Sequence, residues 1–201
     1  MNPLRRERTR DMYVDIACEL IRAQGVSAVT IRNVSDKAGY NSATLYSYFD
    51  NLQHLLLCAQ IKFEDELMLE FKRINDGRGE KSVYDVWPEI YSAMAEYYLN
   101  NPNIFDCSFV AGFAGGGESV MSKWHNESLL ANYVVSCMDN IALETGRDIQ
   151  TIIHINDLCF SLVAGMVLLC VKKRTHTGDR PDIAALENDI RRIIALFINN
   201  N

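Results

Sequence analysis

The residues best suited to chemistry in this 201-residue chain lie in one short stretch, Asn41-Ser-Ala-Thr-Leu-Tyr-Ser-Tyr48. If it forms a short helix with Leu45 and Tyr48 or Phe49 turned inward, Asn41, Ser42, Ala43, Thr44, Tyr46 and Ser47 face outward. A short helix exposing small polar side chains and a tyrosine is suited to the major groove of DNA, where base edges present donors, acceptors and a methyl group. Asn41, Ser42 and Thr44 are the candidates for those edges. An asparagine bidentate to adenine is worth about 1–3 kcal/mol of discrimination. Upstream stand Arg5, Arg6, Arg8 and Arg10, which suit either a basic arm that tracks phosphates or a solvated, frayed terminus.

Such a helix must be held by a partner. Ile31, Val34 and Ala38 share one face of a preceding helix, and Gly39 supplies the left-handed residue that a tight helix-turn-helix needs. Asn41 or Ser42 can cap the second helix. The same spacing fits an ordinary αα-hairpin with no nucleic-acid role.

Elsewhere 3.6-residue periodicity recurs without convincing two-residue alternation. Tyr13, Ile16, Ala17, Leu20 and Ile21 make one stripe, ended by Gly25. A second runs from Leu52 through Leu56, Ala59, Phe63, Leu67 and Phe71 to Ile74, starting after an Asp50/Gln53 capping box. Asn101-Pro102, Gly115–Gly117, Gly146–Asp148 and Gly178–Pro181 punctuate further helices expected at about 82–100, 102–111, 119–145, 148–174 and 181–198. The expected fold is all-α: a three-helix helix-turn-helix domain over residues 1–50, with its motif at about 31–50, followed by a larger helical domain over 51–201.

The run from Thr9 to about Leu56 resembles the N-terminal domain of the tetracycline-repressor (TetR) family of transcriptional regulators. The resemblance is carried by Thr9-Arg10, Ala17, Leu20-Ile21, Gly25, Thr30, Val34, Ala38-Gly39, Thr44-Leu45-Tyr46, Tyr48-Phe49 and Leu55. It implies that Thr30 caps the first helix of the pair and meets a phosphate, and that Tyr46 and Tyr48 reach the DNA backbone or thymine methyls. Tyr48 is equally suited to the core. The resemblance further implies a variable helical domain that binds a small molecule and forms a homodimer, most often in a repressor acting on double-stranded operator DNA. Three positions depart from the family pattern. Leu52 stands where a phosphate-binding lysine is usual, Gly39-Tyr40-Asn41 replaces Gly-Val-Ser, and Ala43 replaces a glycine.

Composition agrees with a soluble globular chain, at 48% apolar and 23% charged. The net charge is −6, yet residues 1–50 carry +1 and residues 51–201 carry −7. That asymmetry permits an anion-binding N-terminal module on an acidic body. The N-terminus lacks the apolar core of a signal peptide, and the longest apolar run, Leu158 to Val171, has 14 residues against the roughly 20 of a membrane span. A cytoplasmic protein with no membrane partner is expected. Six scattered cysteines without a C-x-x-C pair read as small buried hydrophobes. His125 and His154 are lone histidines, and no nucleophile elbow, H-E-x-x-H or catalytic carboxylate pair is present. Neither enzyme activity, nor a metal, nor a cofactor is expected.

The C-terminal helices read as an interface. Residues 158–171 are apolar around nearly the whole circumference and must be covered. Leu162, Gly165, Met166 and Leu169 from that helix, with Ile190, Ile194 and Phe197 from the last, are the expected dimer contacts, and the same stripes also suit a simple intramolecular core. For a small molecule, Tyr91, Met94, Tyr98, Phe109, Phe113, Met121 and Trp124 offer an apolar lining with a few polar handles. The same residues also suit a plain core. The competing function is a helical small-molecule-binding or interaction protein whose hairpin no longer binds DNA, with Leu52 and the acidic body in its favour.

Overall fold

A computed structural model describes residues 3–111, 128–175 and 180–199. Every regular element among the described residues is helical. The chain divides into two compact units, Met1–Asp65 with Asn101–Ser128 and Glu66–Asn100 with Leu129–Asn201.

The first unit opens with α1, Pro3–Gln24. It begins six residues before Thr9, where the family resemblance starts, because Leu4, Arg5, Arg6, Glu7 and Arg8 are all good helix formers and nothing in the stretch interrupts the turn. Tyr13, Val14, Ala17, Cys18, Leu20 and Ile21 form its buried face. Gly25, at φ 85°, ends the helix. After a 3₁₀ turn, Val26–Ala28, come α2, Ile31–Ala38, and α3, Ser42–Leu45. Helix α4 runs Leu52–Asp76, its residues divided between the two units. Its cap is Asn51, one residue later than expected: the Asn51 side chain accepts from the His54 N–H at 2.9 Å. The His54 ring in turn accepts from the Asp50 N–H at 3.3 Å. Because the His54 ring reaches past Asn51 to Asp50, the two bonds do not close a reciprocal capping box, and Gln53 takes no part in them.

The first unit is completed by α6, Pro102–Phe105, and a π-helical turn, Asp106–Ala111, where a continuous α-helix was expected. Helix α6 packs on α1, with Ile104 and Phe105 buried.

The second unit is built around α5, Val83–Asn100. Val83, Val86, Trp87, Ile90, Tyr91, Met94, Ala95 and Tyr98 are all buried, so α5 is enclosed on most of its circumference. Helices α7, Leu129–Thr145, α8, Ile149–Val171, and α9, Ile183–Asn199, pack around it. Asp148 caps α8, accepting from the Gln150 N–H at 2.9 Å, and Asp182 caps α9 through the Ala184 N–H at 2.9 Å. All six cysteines are thiols outside any disulfide. Burial pushes the Cys107 and Cys159 thiols up, to about 12 and about 11 respectively.

Candidate nucleic-acid interface

Two caps and one left-handed glycine set the geometry of residues 30–49. Thr30 is extended at the start of α2, and its hydroxyl accepts from the Asn33 N–H at 3.1 Å. Gly39 adopts φ 70°, and the Tyr40 N–H returns to the Ser35 carbonyl at 3.1 Å, the pattern that closes a helix when the residue after it is left-handed. An added Cβ at Gly39 would meet nothing within 4 Å, so the glycine is required by its backbone angle and not by crowding.

Asn41 then caps α3. Its Oδ1 accepts from the Thr44 N–H at 2.9 Å and from the Thr44 hydroxyl at 3.0 Å. This uses the oxygen that a bidentate pairing with adenine would need, so in this conformation Asn41 offers only its amide N–H₂ outward. Leu45 and Phe49 are fully buried and anchor α3 against the unit. Asn41, Ser42, Ala43 and Ser47 are exposed, Thr44 is half-buried, and the Tyr46 ring is 55% exposed. Tyr48 is half-buried, its ring centroid 5.8 Å from that of Tyr13. The outward face that spacing predicted is therefore present, with Tyr48 at its edge.

The four N-terminal arginines are part of α1 and do not form an unstructured arm. Arg5 and Arg8 are exposed. Arg6 donates to the Ser47 carbonyl at 3.1 Å and lies over the Tyr48 ring at 5.8 Å. Arg10 lies over the Phe49 ring at 5.7 Å and donates to Cys58 Sγ at 2.9 Å. Contacts of Arg6 and Arg10 to the hairpin were not foreseen from the sequence. The clue was their i, i+4 spacing with the aromatic pair Tyr48-Phe49 to receive them.

A region matching bacterial regulatory proteins of the tetR family spans residues 14–58, which contains the whole of this motif. Over that segment the chain carries a tetR-family N-terminal region. That segment is accordingly a helix-turn-helix region of the kind found in DNA-binding transcriptional regulators. An uncharacterized HTH-type transcriptional regulator, YobS of Bacillus subtilis, is 22% identical over 196 residues, 96% of this chain and 94% of that one. Among solved structures, FadR of Bacillus subtilis in complex with stearoyl-CoA superposes with a TM-score of 0.63 at 16% identity, over 94% of this chain and 97% of that one. Thermus thermophilus FadR in complex with lauroyl-CoA gives 0.65 at 15% identity over 92% of each. These likenesses show that the TetR-type fold extends along the chain.

The remaining expected residues distribute as follows. Tyr91, Met94 and Tyr98 share one buried stripe of α5 with Trp87. The Tyr91 hydroxyl lies 2.7 Å from Asn156 Oδ1 and 3.0 Å from the Asn156 carbonyl, held between α5 and α8. Phe109 belongs to the first unit, 43% exposed with its ring 5.0 Å from that of Phe105. Phe113, Met121, Trp124 and His125 lie outside the described residues, as do Gly112 and Gly115–Gly117.

On α8, Ile152, Ile155, Cys159, Val163 and Val167 are buried, whereas Leu158, Leu162 and Leu169 are exposed beside an open Gly165. Among the described residues, the helix expected to be covered on all sides has one buried face. Met166 is half-buried, and Phe197 is exposed, meeting His154 edge-on at 5.8 Å. Ile190 and Ile194 are corrections. They face the core of their own unit and are no more than 1% exposed, because the stripe of α9 that carries them packs on α5 and α8. Helix α8 has the length and apolar composition of a membrane span, a test that core helices of soluble proteins also pass.

Proposed function

We propose that the chain is a cytoplasmic repressor that binds a palindromic operator as a homodimer and releases it when a small molecule occupies its helical body. Residues 1–50 are the DNA-binding part and 51–201 the ligand-binding and dimerisation part. The observation that carries this reading is the exposed face of α3, held by the Asn41 cap and the buried Leu45 and Phe49. Thr30, Asn41, Ser42, Ala43, Thr44, Tyr46, Ser47 and Tyr48 are the residues that meet DNA. Thr30 and Tyr48 serve the backbone, where contacts fix register without reading sequence.

Dimerisation is assigned to the exposed apolar stripe of α8. Leu158, Leu162, Gly165 and Leu169 recur at helical spacing on one side, and Phe197 extends the patch from α9. A second copy related by a two-fold axis presents the same stripe and covers it. The dimer then sets two α3 helices for successive major grooves, about 34–36 Å apart.

The ligand is apolar or amphipathic. Support comes from the buried stripe of Trp87, Tyr91, Met94 and Tyr98 and from the acyl-CoA complexes of the two FadR proteins. A ligand that prefers the non-binding dimer about 100-fold shifts the equilibrium by about 2.7 kcal/mol, enough to release an operator held near threshold.

The test is footprinting on a selected operator with Thr44→Ala combined with Tyr46→Ala, followed by titration with acyl-CoAs of graded chain length. The double variant should lose protection with unchanged helix content, and long-chain acyl-CoA should release the wild type. Protection retained by the double variant would contradict the assignment of α3. Thermal stabilisation by acyl-CoA without operator release would contradict the coupling.

A further inference from the structure

One face of α1, carrying Arg6, Arg10 and Tyr13 at i, i+4 and i+7, meets the recognition segment at both ends. Tyr13 lies 6.1 Å from Tyr40, just before α3, and 5.8 and 6.2 Å from Tyr48 and Phe49, just after it. Arg6 and Arg10 close the far end. The Tyr48 and Phe49 N–H groups both return to the Leu45 carbonyl, at 2.9 and 3.1 Å, and close the segment just after α3. Arg6 takes the Ser47 carbonyl at 3.1 Å while its guanidinium covers the Tyr48 ring. A cation at the carbonyl end of a helix is electrostatically favoured, and the planar guanidinium fits a carbonyl and a ring face together in a way an ammonium does not.

We propose that Arg6 is a positioning residue for base reading: by holding the Ser47 carbonyl and the Tyr48 ring it sets the tilt of α3, and phosphate contact is left chiefly to Arg5 and Arg8. The proposal rests on the DNA-binding reading above. A helix four residues long has too few internal bonds to fix its own axis, so its direction depends on what grips its ends. Asn41 grips the front and Arg6 the rear. A loosened rear end leaves phosphate contacts available but lets Thr44 and Tyr46 wander from the base edges, which costs discrimination more than total affinity.

The experiment compares wild type, Arg6→Ala and Arg6→Lys by anisotropy on a selected operator and on a scrambled duplex across a salt series, with amide hydrogen exchange on the same unliganded proteins. Arg6→Ala should weaken operator binding about tenfold, the scale of one charge-assisted hydrogen bond, and leave scrambled-duplex affinity nearly unchanged. The salt slope on the operator should not fall by the increment of about 0.9 that a lost phosphate contact gives. Arg6→Lys should not restore discrimination, and the Tyr48 and Phe49 amides should exchange faster in both variants. Equal weakening on both duplexes with a shallower slope, rescued by lysine, would show Arg6 to be a phosphate contact and overturn the proposal. Unchanged exchange at Tyr48 and Phe49 would overturn the grip itself. A wild type that prefers no sequence would instead overturn the DNA reading, and the exchange result would still report on the grip.

Discussion

Asn41 and Thr44 are joined twice, the Asn41 Oδ1 accepting both the backbone N–H and the hydroxyl of Thr44, at 2.9 and 3.0 Å. Two residues proposed to read bases are thereby also the device that starts the helix. Asn41→Ala should cost about 1 kcal/mol of stability, the usual value of a lost N-cap, measured by urea unfolding. Asn41→Asp keeps the cap but adds a negative charge facing DNA. It should unfold like the wild type and still bind the operator more weakly. An aspartate variant with undiminished affinity would mean that Asn41 lies away from the phosphates and bases.

Leu52, the first residue of α4, is half-buried and cannot donate to a phosphate. Leu52→Lys should restore the contact usual in the family. The expected result is tighter operator binding at low salt, with a log–log slope steeper by about 0.9. An unchanged slope would show that α4 begins out of reach of the DNA backbone.

The exposed and buried residues of α8 and α9 should respond differently to charge. Leu162→Glu or Gly165→Arg places a charge on the open stripe and should yield a folded monomer by sedimentation, because burying an unpaired charge at an apolar interface costs several kcal/mol. Ile194→Asp, in the core of its own unit, should lower the melting temperature of the unit whatever the oligomeric state. Wild type sedimenting as a monomer at micromolar concentration would contradict the homodimer.

Tyr91 links the core to alkaline stability. Burial holds its hydroxyl well above the ordinary value of 10.0, so the folded chain keeps the proton after the unfolded chain has lost it. The stability this supplies is complete below pH 10 and is lost as pH rises beyond it. Burial likewise pushes Tyr133 up to about 12, which places its share of the loss between pH 10 and about 12. Tyr91→Phe should therefore flatten the alkaline fall in unfolding free energy, while costing about 1 kcal/mol at neutral pH for the lost hydrogen bond to Asn156. A fall as steep as in the wild type would show that Tyr91 ionises freely in the folded state.

What could be read from the sequence follows the range of the forces involved. Thr30, Gly39 and the boundaries of α2 and α3 are set by bonds between residues three to five apart, and composition alone marks them. The cap of α4 is Asn51 and not Asp50: neighbouring Asp and Asn are equally good caps, and it is the Asn51 side chain that takes the His54 N–H. The inward turn of Ile190 and Ile194 was not legible. Periodicity shows that α9 has an apolar stripe but not whether its cover comes from the same chain. The grip of Arg6 on Ser47 joins residues 41 positions apart, so the i, i+4 arginines of α1 signal a shared face but not the carbonyl that Arg6 takes.

An unbiased selection of DNA sequences bound by the purified chain tests the central claim most directly. The account predicts enrichment of a pseudo-palindrome whose half-site centres lie about one helical turn, 34–36 Å, or a multiple of it apart, and loss of that enrichment with Thr44→Ala combined with Tyr46→Ala. A pool indistinguishable from the starting library, or an enriched site that the double variant still selects, would contradict it.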